Sequence, residues 1–153
     1  MRPTYLEVNL PQLKQNLEAI CAHVHGAKVM PMVKANAYGH GIEGVAPYIE
    51  PYVDYFGVAL VEEAIQLRQL GIKKPILVAG GTLIEQLPLF FEHNLILTAS
   101  SLDLLTASEQ LAESTRKRLK VHLKIDTGME RVGVHEYEAE ELIKKSIACS
   151  HLE

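Results

Sequence analysis

The sequence is that of an α/β protein. Five apolar, β-rich runs recur along the 153 residues, helical patterns follow most of them, and glycines at Gly71, Gly80 and Gly81 punctuate the turns. The runs are VMPMVKA from Val29, YFGVAL from Tyr55, PILVAG from Pro75, LILTAS from Leu95 and LKVHLKID from Leu119. Near-continuous apolarity in the first four is the pattern of strands covered on both faces of a parallel sheet. The fifth alternates, with Val121, Leu123 and Ile125 on one face and His122, Lys124 and Asp126 on the other.

Taken in order, Leu10, Leu13, Leu17, Ile20, Ala22 and Val24 give a mostly helical spacing, which predicts a helix over 10–24 ahead of the first run. Pro31 cannot donate a ladder hydrogen bond, so the first strand should be irregular or bulged there. Crossover helices are expected over 62–70, 83–92, 101–112 and 136–147, with Ser101 as an N-cap before Leu102-Asp103. Five strands at this length fit an open doubly wound sheet. A closed barrel has eight strands and typically ~250 residues, so a barrel reading makes this chain an incomplete one, with a sixth strand due to start near Ala148.

A chain with 48% hydrophobic and 22% charged residues can bury a core and stay in solution. Net charge is -4 and no basic stripe is interleaved with aromatics, which argues against a nucleic-acid partner. Arg116, Lys117, Arg118 and Lys120 read as a solvated helix-to-strand turn. There is no charged-then-apolar leader, and no apolar run approaches the ~20 residues of a membrane span, so the expected location is the cytoplasm without membrane association. Cys21 and Cys149 are read as reduced structural thiols, and His23 and His25 as surface residues; no metal site is expected.

One lysine stands out. In VMPMVKANAYGHG, residues 29–41, Lys34 ends an apolar run and opens a glycine-rich turn. A lysine at the carboxyl end of a buried strand loses hydration, which favours the neutral amine that attacks an aldehyde and later shuttles a proton. By position alone, such a lysine is more often the first solvated residue of a loop. His40 reads as a hydrogen-bonding turn residue, and Tyr38 by itself as a packing residue.

Two motifs carry a resemblance. VKANAYGHG, residues 33–41, closely resembles the cofactor-lysine motif of alanine racemases, pyridoxal 5'-phosphate (PLP) enzymes of the barrel type, and KIDTGMERVG, residues 124–133, resembles their second signature. The resemblance implies an incomplete parallel (β/α) barrel of the TIM type, about five of eight units. Residues 1–153 would then be the N-terminal part of the PLP-binding barrel domain, without the C-terminal β-domain.

It further implies that Lys34 is catalytic and holds PLP, that Tyr38 donates to the phosphate, and that Lys124 is carbamylated. Arg131 is implied to bind both the cofactor's phenolic oxygen and the substrate carboxylate. Glu130 departs from the small or neutral residue the family often has there. The implied activity interconverts L- and D-alanine through a PLP aldimine on Lys34, supplying D-alanine for peptidoglycan. The full-length family protein is a homodimer whose partner supplies the second base, so this chain alone is expected to racemise poorly. Another barrel-type PLP protein, or a non-catalytic fragment, are the alternatives.

Overall fold

In the computed structural model, which describes residues 4–153, α1 (Leu10–His23) starts where Asn9 accepts a hydrogen bond from the Gln12 N–H at 2.9 Å. The cap and the apolar spacing agree locally, so the helix falls within one residue of its expected bounds. The Val29 run does not become a regular strand. The Gly57 N–H donates to Pro31 O at 3.0 Å and the Val33 N–H to Gly57 O at 2.8 Å, leaving a single parallel bridge, Met32 to Gly57. Pro31 interrupts the ladder as expected. The run is half-exposed rather than covered on both faces, because it lies at the sheet's edge with no neighbour on its far side among the described residues.

Next come α2 (Lys34–Tyr38), which is wound left-handed, and α3 (Ile42–Ile49). The sequence reading missed α3, whose interior holds Gly44 and Pro47, two helix breakers. The signal was there: Ile42, Val45, Ala46 and Ile49 follow i, i+3, i+4, i+7 and all are buried.

The remaining units alternate regularly: β1 (Phe56–Val58), α4 (Val61–Gln69), β2 (Ile76–Val78), α5 (Leu87–Glu92), β3 (Ile96–Ala99), α6 (Leu102–Thr115) and β4 (Val121–Leu123). Ser101 caps α6 by accepting from the Leu104 N–H at 3.1 Å. The helix expected over 83–92 splits into a 3-10 turn, Ile84–Gln86, and α5, where Pro88 sits in the first turn. The fifth run breaks at Lys124 into β4 and β5 (Ile125–Asp126), because the chain changes partner there. The Lys124 N–H still donates to Ala99 O at 2.9 Å, while its carbonyl accepts from the Val134 N–H at 3.1 Å, next to β6 (Val134–His135). A 3-10 turn, Glu136–Glu138, then leads into α7 (Ala139–Ile147).

The sheet is parallel in the order β1-β2-β3-β4, with Phe56 opposite Ile76, Leu77 opposite Ile96 and Thr98 opposite His122. Strand order follows chain order without reversal. A doubly wound sheet needs a reversal, its switch point, whereas a (β/α) barrel adds each unit beside the last. Beyond β4, Leu152 bridges Leu119 in parallel, where the sixth strand was expected. Phe56, Val58, Ile76, Val78 and Leu97 join Leu67 of α4 and Phe90 of α5 in the main core, and Ala99, Leu105, Val134 and Leu142 form a second cluster that holds α7 against α6. Fully burying one such side chain contributes about 1.5–3 kcal/mol. Among the described residues, no helix is long and apolar enough to cross a membrane.

Candidate active site

At the carboxyl ends of β1 and β2 lies a cavity of about 420 Å³. Its cations are Lys34, Lys124 and Arg131, its acid is Asp126, and Ala59, Ala79 and Gly80 are among its small lining residues. Residues from two distant motifs thus meet in one space.

Lys34 follows the buried Val33 and is itself half-buried. After it the backbone turns left-handed, with φ of 51°, 56°, 53° and 54° at Ala35, Asn36, Ala37 and Tyr38. Such winding costs an L-residue roughly 1–2 kcal/mol each, so surrounding bonds must impose it. Several do. The Ala37 N–H donates to Val33 O at 2.9 Å, the Gly39 N–H to Ala35 O at 3.0 Å, and the Ile42 N–H to Asn36 Oδ1 at 2.8 Å. Sequence reasoning missed a further contributor, Glu63, whose carboxylate accepts from the Ala35 N–H at 2.6 Å. Its only sequence signal was an acid in the first turn of a helix.

Tyr38 does not line the Lys34 cavity. It is 58% exposed and borders a separate groove of about 530 Å³ beside α1 and α3. His40 Nδ1 lies 2.8 Å from Ala37 O, a turn contact of the kind expected.

Asp126 organises the second motif. Its Oδ1 accepts from the N–H groups of Gly128, Met129 and Glu130 at 2.9, 2.8 and 3.0 Å, and its Oδ2 from the Arg131 N–H at 2.8 Å. The Arg131 amide, followed by those of Gly128 and Glu130, holds this carboxyl well below the ordinary carboxylate range. One buried carboxylate therefore shapes the loop that carries Arg131. Gly133 lets that loop close on Lys124, since a Cβ there would lie 2.7 Å from Lys124 O. Lys124 is exposed at the cavity rim and its Nζ donates to Ile125 O at 3.0 Å.

Glu130 does not engage Arg131 in an ion pair: its carboxylate stands 3.8 Å from His135 Nδ1, and His135 stacks on Tyr137 with ring centroids 5.1 Å apart. Glu130 has a φ of 55°, a conformation that suits glycine. Glu130→Gly should therefore stabilise the protein by about 0.5–1 kcal/mol, read as a higher urea midpoint at unchanged slope.

An arc of parallel (β/α) units, presenting a lysine and an arginine in a cavity at the strands' carboxyl ends, defines a barrel-type protein with a lysine-centred site. The chain belongs to the alanine racemase family: the family model "Alanine racemase, N-terminal domain" matches residues 8–153. It is 40% identical over 154 residues to the alanine racemase of Actinobacillus succinogenes, an alignment covering 100% of this chain and 42% of that protein. An alanine racemase structure from Clostridium difficile 630 matches with a TM-score of 0.90 at 35% identity, over 100% of this chain and 41% of the other. A histidine racemase from Leuconostoc mesenteroides matches with a TM-score of 0.85 at 32% identity, over 94% of this chain and 39% of the other. The fold is thus the parallel (β/α) barrel of the TIM type, present in part, and the chain spans about 40% of the length of its relatives.

Proposed function

We propose that this chain is the N-terminal barrel portion of a PLP-dependent alanine racemase, an isomerase that interconverts L- and D-alanine. The observation that carries the proposal is that Lys34 and Arg131, from two separate motifs, line one cavity. The residues fit the cofactor. A lysine amine opens into a space floored in part by Ala59, Ala79 and Gly80, where a flat ring meets little steric resistance, and a guanidinium faces the same space.

When bound, PLP supplies delocalisation for the electron pair left at a deprotonated carbon. Lys34 Nζ would be its attachment point, and the same amine would take and return the α-proton on its own face. Arg131, whose backbone amide Asp126 holds, would donate to the phenolic oxygen and the substrate carboxylate. Lys124, as a carbamate, would pair with Arg131. Tyr38, which borders the neighbouring groove, is the hydroxyl we assign to the phosphate.

We assign the second base and the other phosphate ligands to the rest of a homodimeric cytoplasmic protein, whose D-alanine would enter peptidoglycan. A second reading, racemisation of another amino acid, is favoured by the likeness to a histidine racemase. Titrating the chain with PLP tests the proposal. A visible band that saturates, is absent from Lys34→Ala and shifts on adding alanine is expected; a band of equal strength in Lys34→Ala would overturn the assignment of Lys34, and no band would mean that this segment does not hold the cofactor by itself.

A further inference from the structure

We infer that Glu63 is a positioning residue for Lys34, an assignment that rests on the cofactor reading of that lysine. Glu63 sits in the first turn of α4, where a glutamate normally accepts from the N-cap amide alone. Here it does more. Its Oε2 accepts from the Leu60 N–H at 3.1 Å and the Ala59 N–H at 2.8 Å, while Oε1 reaches the Ala35 N–H at 2.6 Å, 28 residues away in sequence. Ala35 immediately follows Lys34, and Ala59 lines the same cavity as Lys34.

The lysine's backbone is therefore bracketed. On its amino side the Val33 N–H donates to Gly57 O at 2.8 Å, and on its carboxyl side Ala35 is held by Glu63. Both anchors belong to the β1–α4 unit, so Lys34 is registered against the strand end that borders the cavity. Ala35 also begins the left-handed winding, where its amide has no partner within its own turn; the carboxylate supplies one. Glu63 makes no ion pair with the Lys34 amine among the described residues, and its two oxygens accept from backbone amides. It fixes where the amine stands without neutralising it.

Length, then, matters more than charge. Glu63→Asp keeps the carboxylate at the start of α4 but shortens the side chain by roughly 1.5 Å, so it cannot cap α4 and hold Ala35 together. Two readouts follow. Amide hydrogen exchange, resolved by NMR, should show the Ala35 N–H exchanging at least about tenfold faster in Glu63→Asp than in the wild type. Trapping of Lys34 by PLP and borohydride, mapped by mass spectrometry, should slow by about tenfold or more, since small misplacements of a reacting group cost that much.

Gln86→Ala is the control. It removes the acceptor of the Leu83 N–H, at 3.0 Å, in a turn that holds no part of the Lys34 cavity, and should leave trapping unchanged. Wild-type trapping in Glu63→Asp, or an equal loss in Gln86→Ala, would overturn the assignment. Absence of Lys34 labelling in the wild type would instead defeat the cofactor reading, while unchanged Ala35 exchange in Glu63→Asp would by itself defeat the positioning role.

Discussion

Lys34→Ala should abolish the PLP-dependent visible band and leave the fold intact. The side chain is half-buried and makes no ion pair among the described residues, so stability should change by no more than about 0.5 kcal/mol. The backbone bonds that hold the turn come from Val33, Glu63 and Asn36 and do not involve the lysine's amine. On the role proposed for Lys34, the same change in a complete enzyme would remove both the attachment point and one acid–base group, a loss on the order of 10³–10⁴-fold or more in turnover. Absorbance at saturating PLP, with a urea titration of each protein, separates the two effects. A band of wild-type amplitude in the alanine variant would remove Lys34 from the chemistry.

Asp126→Asn should produce the second large effect, on Arg131. The carboxylate accepts four backbone N–H bonds, and an amide can accept only through its single oxygen while presenting an NH2 to the donor left over. Loop 127–131 should loosen, and PLP or alanine affinity should fall by about tenfold or more as Arg131 loses its aim. The pH dependence has a definite sign. Because folding lowers the Asp126 pKa below its ordinary 3.8, its stabilisation is fully present above about pH 4 and is lost as pH falls toward the depressed folded value. Glu109 acts in the same direction. Its carboxylate accepts from the Ser150 N–H at 2.8 Å and lies 3.1 Å from His151 Nδ1, and although burial opposes the shift, these bonds lower its pKa. Acid should therefore loosen both the Arg131 loop and the 150–153 segment. In Asp126→Asn, thermal melts below about pH 4 should show a shallower acid slope; an unchanged slope would mean that the four bonds do not govern the loop.

The elements most legible in the sequence were those whose signals are local and mutually consistent. α1 has its apolar spacing, α6 has the Ser101 cap, and β1 to β3 are short apolar runs buried at every residue. α3 was hidden because Gly44 and Pro47 speak against a helix, yet packing of Ile42, Val45, Ala46 and Ile49 outweighs them. The left-handed α2 was not legible at all. Four successive non-glycine residues at positive φ contradict every local preference and persist through bonds to Val33 and to Glu63.

By itself the sequence determined the βα repeat, the apolar content of the sheet and the two motifs whose residue types match one chemistry. Tertiary structure decided which of those residues meet. It brought Lys34, Lys124 and Arg131 to one cavity, set Tyr38 in the neighbouring groove, and gave Glu63 a task across 28 residues. Periodicity and capping are properties of neighbouring residues in a chain, whereas a cavity exists only once parallel strands have paired in register and the loops at their carboxyl ends have closed on one another.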